Sequence, residues 1–412
     1  MPPARTPFPR PTLHERDRRW AVVRELMDAD DLSGVVAFGS TFDRTDVYLA
    51  GEAIPGGIVA IPRDGEPALL SGVGAVALLR SDDQGRRLAD ARWIADLRTG
   101  PPPLLIAEVL RTWRIGRGRV GVIGLGGASP FGGGIPHGAW EMITAATPDV
   151  EWVDITLSFA RARLVKSPQE QELFRHAAEI GEHASRVFLD AARVGARESD
   201  VYAAVEAEIT RRGGHSAGPG MILRSGNPAF GGPIEWGWAG GEPPILRPGD
   251  SIGAEIFACW AGLESQQQMH VQFGSDDVHR RLADAARAAY EAGVAATRPG
   301  VLFSDVYAAM HAEIVAADVW SRPPVVQTVS PGLYNSPMWV NAQGRADLDG
   351  YPIPGVVPAD GDFELRAGMA FAFQPAALIG LRQVCIGGAV LVTAGGCEEL
   401  NALATRSHIV EP

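Results

Sequence analysis

Lysine is almost missing from this 412-residue chain: Lys166 is the only one. Any mechanism that needs a second catalytic lysine is excluded. Cysteine is nearly as scarce. Cys259, Cys385 and Cys397 lie far apart, with no C-x-x-C and no histidine at matching spacing, so neither a zinc knuckle nor a disulfide framework is indicated and a reducing cytoplasm fits. No unbroken apolar run reaches the roughly 18 residues of a membrane span. The opening MPPARTPFPRPTLHE lacks the apolar core of a signal peptide. Basic charge is also in deficit, 37 Lys and Arg against 49 Asp and Glu, giving −12. A field of that sign repels phosphate backbones, so nucleic acid is not an expected partner, and without a span-length apolar run neither is a membrane.

What is present is ordinary globular composition, 46% hydrophobic and 21% charged residues. At about 150 residues per domain the length suggests two or three domains. Residues 1–13, rich in Pro and Arg, read as a flexible arm. Over 14–160, helical patterns alternate with the short apolar runs VVAFG, VYLAG, GIVAIP, PALLSG, RVGVIGL and VEWVDI, which predict the strands of an α/β domain. Asp64-Gly65 predicts a hairpin turn. The Gly-rich stretch 124–138 lacks the GK[ST] ending of a phosphate loop and reads as a surface loop.

A second domain is expected over 161–412. Ser167-Pro168-Gln169-Glu170 carries the cap, the first-turn proline and the third-position glutamate of a helix start, and Leu173, Ala177, Ile180, Ala184, Val187 and Phe188 follow on one face. An internal repeat stands out: SDVYAAVEAEI at 199–209 returns as SDVYAAMHAEI at 304–314. In each copy serine is the expected N-cap, a helix precedes, and a β-like run follows, MILRSG or PVVQTVS. Two similar half-domains of paired helices and antiparallel strands explain this most simply.

The Lys-Ser-Pro-x-Glu helix start, the duplicated halves, the run LRPGDSIGAEIFACWAGLESQQQMHVQFG and the closing LRAGMAFAFQPAAL...AVLVTAGGCEEL together resemble the creatinase and aminopeptidase P family. The resemblance implies an α/β N-terminal creatinase-type domain, an α+β pita-bread domain with an internal pseudo-twofold repeat, and a homodimer. The family's peptidases hold two divalent metals with two Asp, one His and two Glu. In this chain those positions fall on Glu255, Gln266, Gln374 and Gly387, with Asn335 the best match for the histidine. Hard divalent ions are held by anionic oxygens or imidazole, and amides are weaker ligands. No catalytic metal and no other cofactor are therefore expected; the alternative is a mononuclear site using Glu255 with partners such as His270. Creatinase works without metal, but its catalytic His position falls on Trp238 and its carboxylates on Gln268 and Gln374.

If 253–273 forms two strands turning at Ala261-Gly262, alternation puts Gln266, Gln268 and His270 on one face and Gln267 and Met269 on the other. Either these glutamines line a polar pocket, or they face solvent or pair with each other. Glu255 is the one carboxylate at a pocket position, a general acid or base. Its alternative is an ion pair with an arginine such as Arg382. His270 is the most plausible pocket imidazole, ahead of His215. Trp236 and Trp238, on a Gly-rich loop, serve either stacking on a flat or cationic ligand or packing alone. Arg44 is a candidate for a substrate carboxylate, while Cys259 and Cys385 read as buried, not nucleophilic. The expected function is a metal-independent hydrolase or lyase acting on a small polar, nitrogen-containing molecule, with Glu255 and His270 catalytic and Gln266, Gln268, Asn335 and Gln374 hydrogen-bonding the substrate. Two other classes stay open: a non-catalytic ligand- or peptide-binding protein, and a metal-dependent Xaa-Pro aminopeptidase or dipeptidase.

Overall fold

The computed structural model describes residues 8–39, 44–53, 56–72, 93–126, 135–217, 220–226, 234–342, 344–347, 349–350 and 362–411. Residues 1–7 of the expected arm and 127–134 of the Gly-rich stretch lie outside these. The chain forms two compact units, Met1–Arg163 and Leu164–Pro412.

In the first unit six strands, β1 (Gly34–Phe38), β2 (Gly57–Pro62), β3 (Ala68–Ser71), β4 (Asp96–Thr99), β5 (Gly118–Ile123) and β6 (Val150–Asp154), form one mixed sheet in the order β4-β3-β2-β1-β5-β6. Alternation sorts their side chains. Val35 and Ala37 join Trp20 and Met27 of the helix Leu13–Ala29 on one face, while Val36 joins Leu105, Ile106 and Val109 of the helix Pro102–Thr112 on the other. The Asp64-Gly65 turn is present, with Gly65 at φ 105 joining antiparallel β2 and β3. One expected strand is a helix: VYLAG lies in Thr45–Ala50, ending at Gly51 in the left-handed region. An apolar run that short does not distinguish a buried helical turn from a strand.

In the second unit Ser167 caps the helix Pro168–Ala191 in a full capping box: its side chain accepts from the Glu170 amide, and the Glu170 carboxylate accepts from the Ser167 amide. Both repeat copies are helical, Glu198–Arg211 and Phe303–Ala316, each the partner of a longer preceding helix, Pro168–Ala191 or Asp277–Ala296. The serines do not cap them. The N-caps are Arg197 and Leu302, and Ser199 and Ser304 lie inside the first turn. In the second copy Asp362 supplies the missing acceptor, taking the Ser304 amide at 3.0 Å.

The long hairpin β9 (Ser251–Trp260) and β10 (Leu263–Phe273) turns at Ala261 and Gly262, both at positive φ, as expected. With β7 (His215–Ser216), β8 (Ile222–Ser225) and β17 (His408–Val410) it forms a five-stranded sheet. A second sheet has the order β11-β12-β15-β16, from β11 (Val326–Thr328), β12 (Ala370–Phe373), β15 (Ala389–Val392) and β16 (Cys397–Glu399). A small hairpin, β13 (Ala376–Ile379) with β14 (Arg382–Cys385), completes the unit. On β9, Ile252, Ala254, Ile256 and Ala258 join Ile180, Phe188 and Val205 of the helices in one core. The intervening Gly253, Glu255 and Phe257 turn to the opposite face.

Candidate active site

Register decides what shares that face. Glu255 stands opposite Gln268, Phe257 opposite Gln266 and Gly253 opposite His270. Every residue of β10 except Glu264 is buried, so its glutamines do not face water. An unpaired buried amide costs about 1–3 kcal/mol, and each of them makes at least one hydrogen bond, although the Gln267 oxygen has no partner among the described residues. Gln266 donates to Glu264 at 2.6 Å and accepts from Gln327 at 2.6 Å. Gln268 donates to the side-chain oxygen of Gln374 at 3.0 Å, Gln327 approaches the same oxygen at 3.5 Å, and Gln374 donates to the Pro324 carbonyl at 3.2 Å. Gln267, on the other face, donates to Ser265 and Asn401. A connected string of amides thus runs from Glu264 to Gln268 where the two sheets meet, and the backbone bond from Gln268 to the Gly387 carbonyl, 2.7 Å, joins them.

Beside this string a cavity of about 30 Å³, room for a water or a small polar group, is lined by Glu255, Gln268, His270, Arg322, Gln383 and Cys385 among others. Burial raises the Glu255 carboxyl above its ordinary pKa, with Arg322 and the Gln268 hydrogen bond pulling the other way. The arginine beside Glu255 is therefore Arg322, not Arg382, which pairs with Asp276 at 2.8 Å. Arg322 also donates to Gln383 at 2.9 Å. Cys385 is buried, its thiol pushed up to about 12 and its sulfur 3.8 Å from the Gln268 oxygen. Burial likewise raises Cys259, so neither supplies a thiolate at neutral pH.

His270 lines the cavity, and burial first, then the neighbouring His279, lower it to about 3, so it is neutral. Asn335 forms a backbone bridge with Gln327, but no hydrogen bond found among the described residues joins its side chain to the amide string. Gln327 holds that place, one short strand earlier. Trp236 and Trp238 sit on a short helix, Glu235–Ala239, and neither lines the cavity. Trp236 donates to Glu198 and meets Tyr202 edge-on, which is a packing role, while Trp238 is 77% exposed. His215 is exposed on β7. Arg44 commits its guanidinium fork to Asp46, at 3.0 and 2.8 Å, rather than presenting it to a ligand. Sequence reasoning missed Arg322, Gln327 and Gln383. Arg322 lies in a loop, and Gln327 and Gln383 sit in the short strands β11 and β14 with no motif to mark them.

The donor set does not suit a pair of divalent cations. The Gln266 and Gln374 oxygens are already acceptors within the amide string, and Arg322 offsets the one carboxylate of the cavity. At Gly387 a Cβ would meet the Phe373 carbonyl oxygen at 1.8 Å, so no ligating side chain fits there. Among the described residues no three His, Cys, Asp or Glu side chains form a group able to hold an ion.

The paired helices, the two sheets and the long β9–β10 hairpin define a protein of the pita-bread class. A model of metallopeptidase family M24 matches residues 172–394, more than half of the chain, and the chain belongs to that family. An uncharacterized hydrolase/peptidase, y4tL of Sinorhizobium fredii, is 30% identical over 178 residues, 42% of this chain and 44% of that protein. The match therefore spans under half the length of that relative. Among solved structures, the X-Pro aminopeptidase of Thermotoga maritima aligns with a TM-score of 0.71 at 15% identity, covering 95% of this chain and 99% of its own. Dipeptidase PepE of Mycobacterium ulcerans aligns at 0.68 and 22%, covering 98% and 100%. Similarity at that identity carries the fold alone. No described helix is long and apolar enough to cross a membrane.

Proposed function

We propose that this chain is a hydrolase that cleaves a carbon–nitrogen bond of a small polar, nitrogen-containing molecule without a catalytic metal. The observation that carries the reading is the pairing of Glu255, its pKa raised by burial, with Arg322 in a cavity whose other polar groups are mainly neutral. A carboxylate of raised pKa is a competent base near neutral pH. Glu255 takes a proton from water as the water oxygen bonds to the substrate carbon. The carbon–nitrogen bond then breaks and the nitrogen leaves with a proton, so that one water is consumed in all. The guanidinium of Arg322 favours the negative charge that develops on the way. Amides exchange no protons at neutral pH, so Gln268 and Gln374 orient the substrate and do no proton transfer. The family resemblance further supports two similar halves about the cleft and a homodimer as the working unit, which sedimentation tests.

The experiment is incubation of chelator-dialysed protein with guanidino acids and N-acylated amino acids, followed by mass spectrometry. Products that sum to substrate plus one water are expected; products that sum to substrate alone mean elimination instead. Turnover unchanged in Glu255→Gln refutes the role of Glu255. A second reading, ligand binding without turnover, draws on the amides already satisfying one another; it predicts binding of such compounds with no product.

A further inference from the structure

Behind His270, which lines the cavity, lie polar side chains that the proposed chemistry has not used. Strand β17 runs parallel to β10 with His408 opposite Val271, which places Ser407 alongside His270. The Ser407 hydroxyl lies 2.8 Å from Nδ1 of His270 and 2.9 Å from Nε2 of His279. The two rings are nearly parallel, 15° apart, with centroids separated by 5.7 Å. His279 is fixed because its amide donates to Asp276, the N-cap of the helix Asp277–Ala296, at 2.7 Å. Its Nδ1 faces the hydroxyl of Ser275 at 3.5 Å, and Ser275 is exposed. At the inner end, Nε2 of His270 is buried beside the cavity, where the backbone of Gln383 also approaches the ring.

We propose that His270, Ser407 and His279 form a proton relay joining the Glu255 cavity to solvent at Ser275. Each member both donates and accepts, which a proton wire requires. In one state Nε2 of His270 carries a proton, its Nδ1 accepts from Ser407, and Ser407 accepts from Nε2–H of His279. Passing the Nε2 proton to the leaving nitrogen moves one proton along each link, and solvent replaces the last at Nδ1 of His279. The wire then points the other way. Glu255, protonated by the attacking water, returns its proton to Nε2 of His270, every link shifts back, and one proton leaves. One proton has entered and one has left, and no imidazolium forms at any stage, in keeping with rings held neutral by burial. This use of the relay rests on the hydrolase reading; the relay itself can be tested without a substrate.

The test is exchange of the His270 imidazole proton with water, followed by NMR on the full-length protein labelled with 15N-histidine, the resonance assigned with His270→Asn. Ser407→Ala is expected to slow exchange by about tenfold or more, and Ser407→Thr, which keeps the hydroxyl, to restore it. His279→Asn, which breaks the next link, is expected to slow it as well. Local loosening would accelerate exchange, so a purely structural role for Ser407 moves the rate in the opposite direction. Exchange unchanged or faster in both Ser407→Ala and His279→Asn overturns the relay. Wild-type protein that exchanges rapidly but turns over none of the test compounds leaves the relay standing and counts against the hydrolase reading instead.

Discussion

Glu255 concentrates the tension between stability and function in one side chain. Its folded pKa lies above its unfolded value of about 4.5, so the folded protein holds the proton more tightly. Stability therefore falls as pH rises through the interval between the two values, and the cost is fully present above both. Glu255→Gln is expected to raise the melting temperature at neutral pH, the gain vanishing near pH 4, while turnover falls by about 10²-fold or more. A lower melting temperature at pH 7 contradicts this. Histidines show the reverse sign. Burial lowers His311 to about 4 from an ordinary 6.5, so its contribution is present above pH 6.5 and is lost as pH falls toward 4. Urea titrations of His311→Gln between pH 6.5 and 5 are expected to show a pH slope shallower than wild type by up to ~1.4 kcal/mol per unit. At this scale the spacing of the motifs was enough to bring Glu255 and Gln268 to the cavity lining and Gln266 and Gln374 into the amide string beside it. The sequence hid Arg322 and Gln327, which reach the site only through tertiary folding from a loop and a three-residue strand.

The elements show where local rules suffice. The capping box at Ser167 is complete within four residues and needs nothing distant, which is why it was readable. Ser167→Ala is expected to cost about 1 kcal/mol in chemical denaturation, with the cleft chemistry intact. The β9–β10 hairpin was readable for a similar reason: alternation and an Ala-Gly turn fix register, and register alone places Glu255 opposite Gln268. The Thr45–Ala50 helix and the displaced caps of the repeat were not, since short apolar runs are ambiguous and Asp362 lies far along the chain from the turn it satisfies. Gly387 is the strictest position. It sits at φ 139 with the Phe373 carbonyl where a Cβ would go. Gly387→Ala is expected to destabilise by several kcal/mol, and Gly387→Glu, which would return an acidic ligand, to fail to fold rather than gain metal. A folded Gly387→Glu protein of wild-type melting temperature counts against that geometry.

Across the whole molecule, the M24 family architecture is present, while among the described residues no three His, Cys, Asp or Glu side chains form a group able to hold an ion, and the proposed function follows from that contrast. Backbone topology depends on apolar periodicity and turns, which this chain retains; a dinuclear centre depends on a handful of anionic oxygens, and at two of the positions that the resemblance assigns to ligands, Gln266 and Gln374, stand amides held in one hydrogen-bonded string. The most direct test of a metal-free site is calorimetric titration of chelator-dialysed protein with Mn²⁺, Co²⁺ and Zn²⁺, alongside elemental analysis of the protein as purified. No cleft binding tighter than about millimolar, and turnover indifferent to added metal, are expected. One or two equivalents bound at micromolar affinity or tighter, lost in Glu255→Gln and needed for turnover, would contradict it.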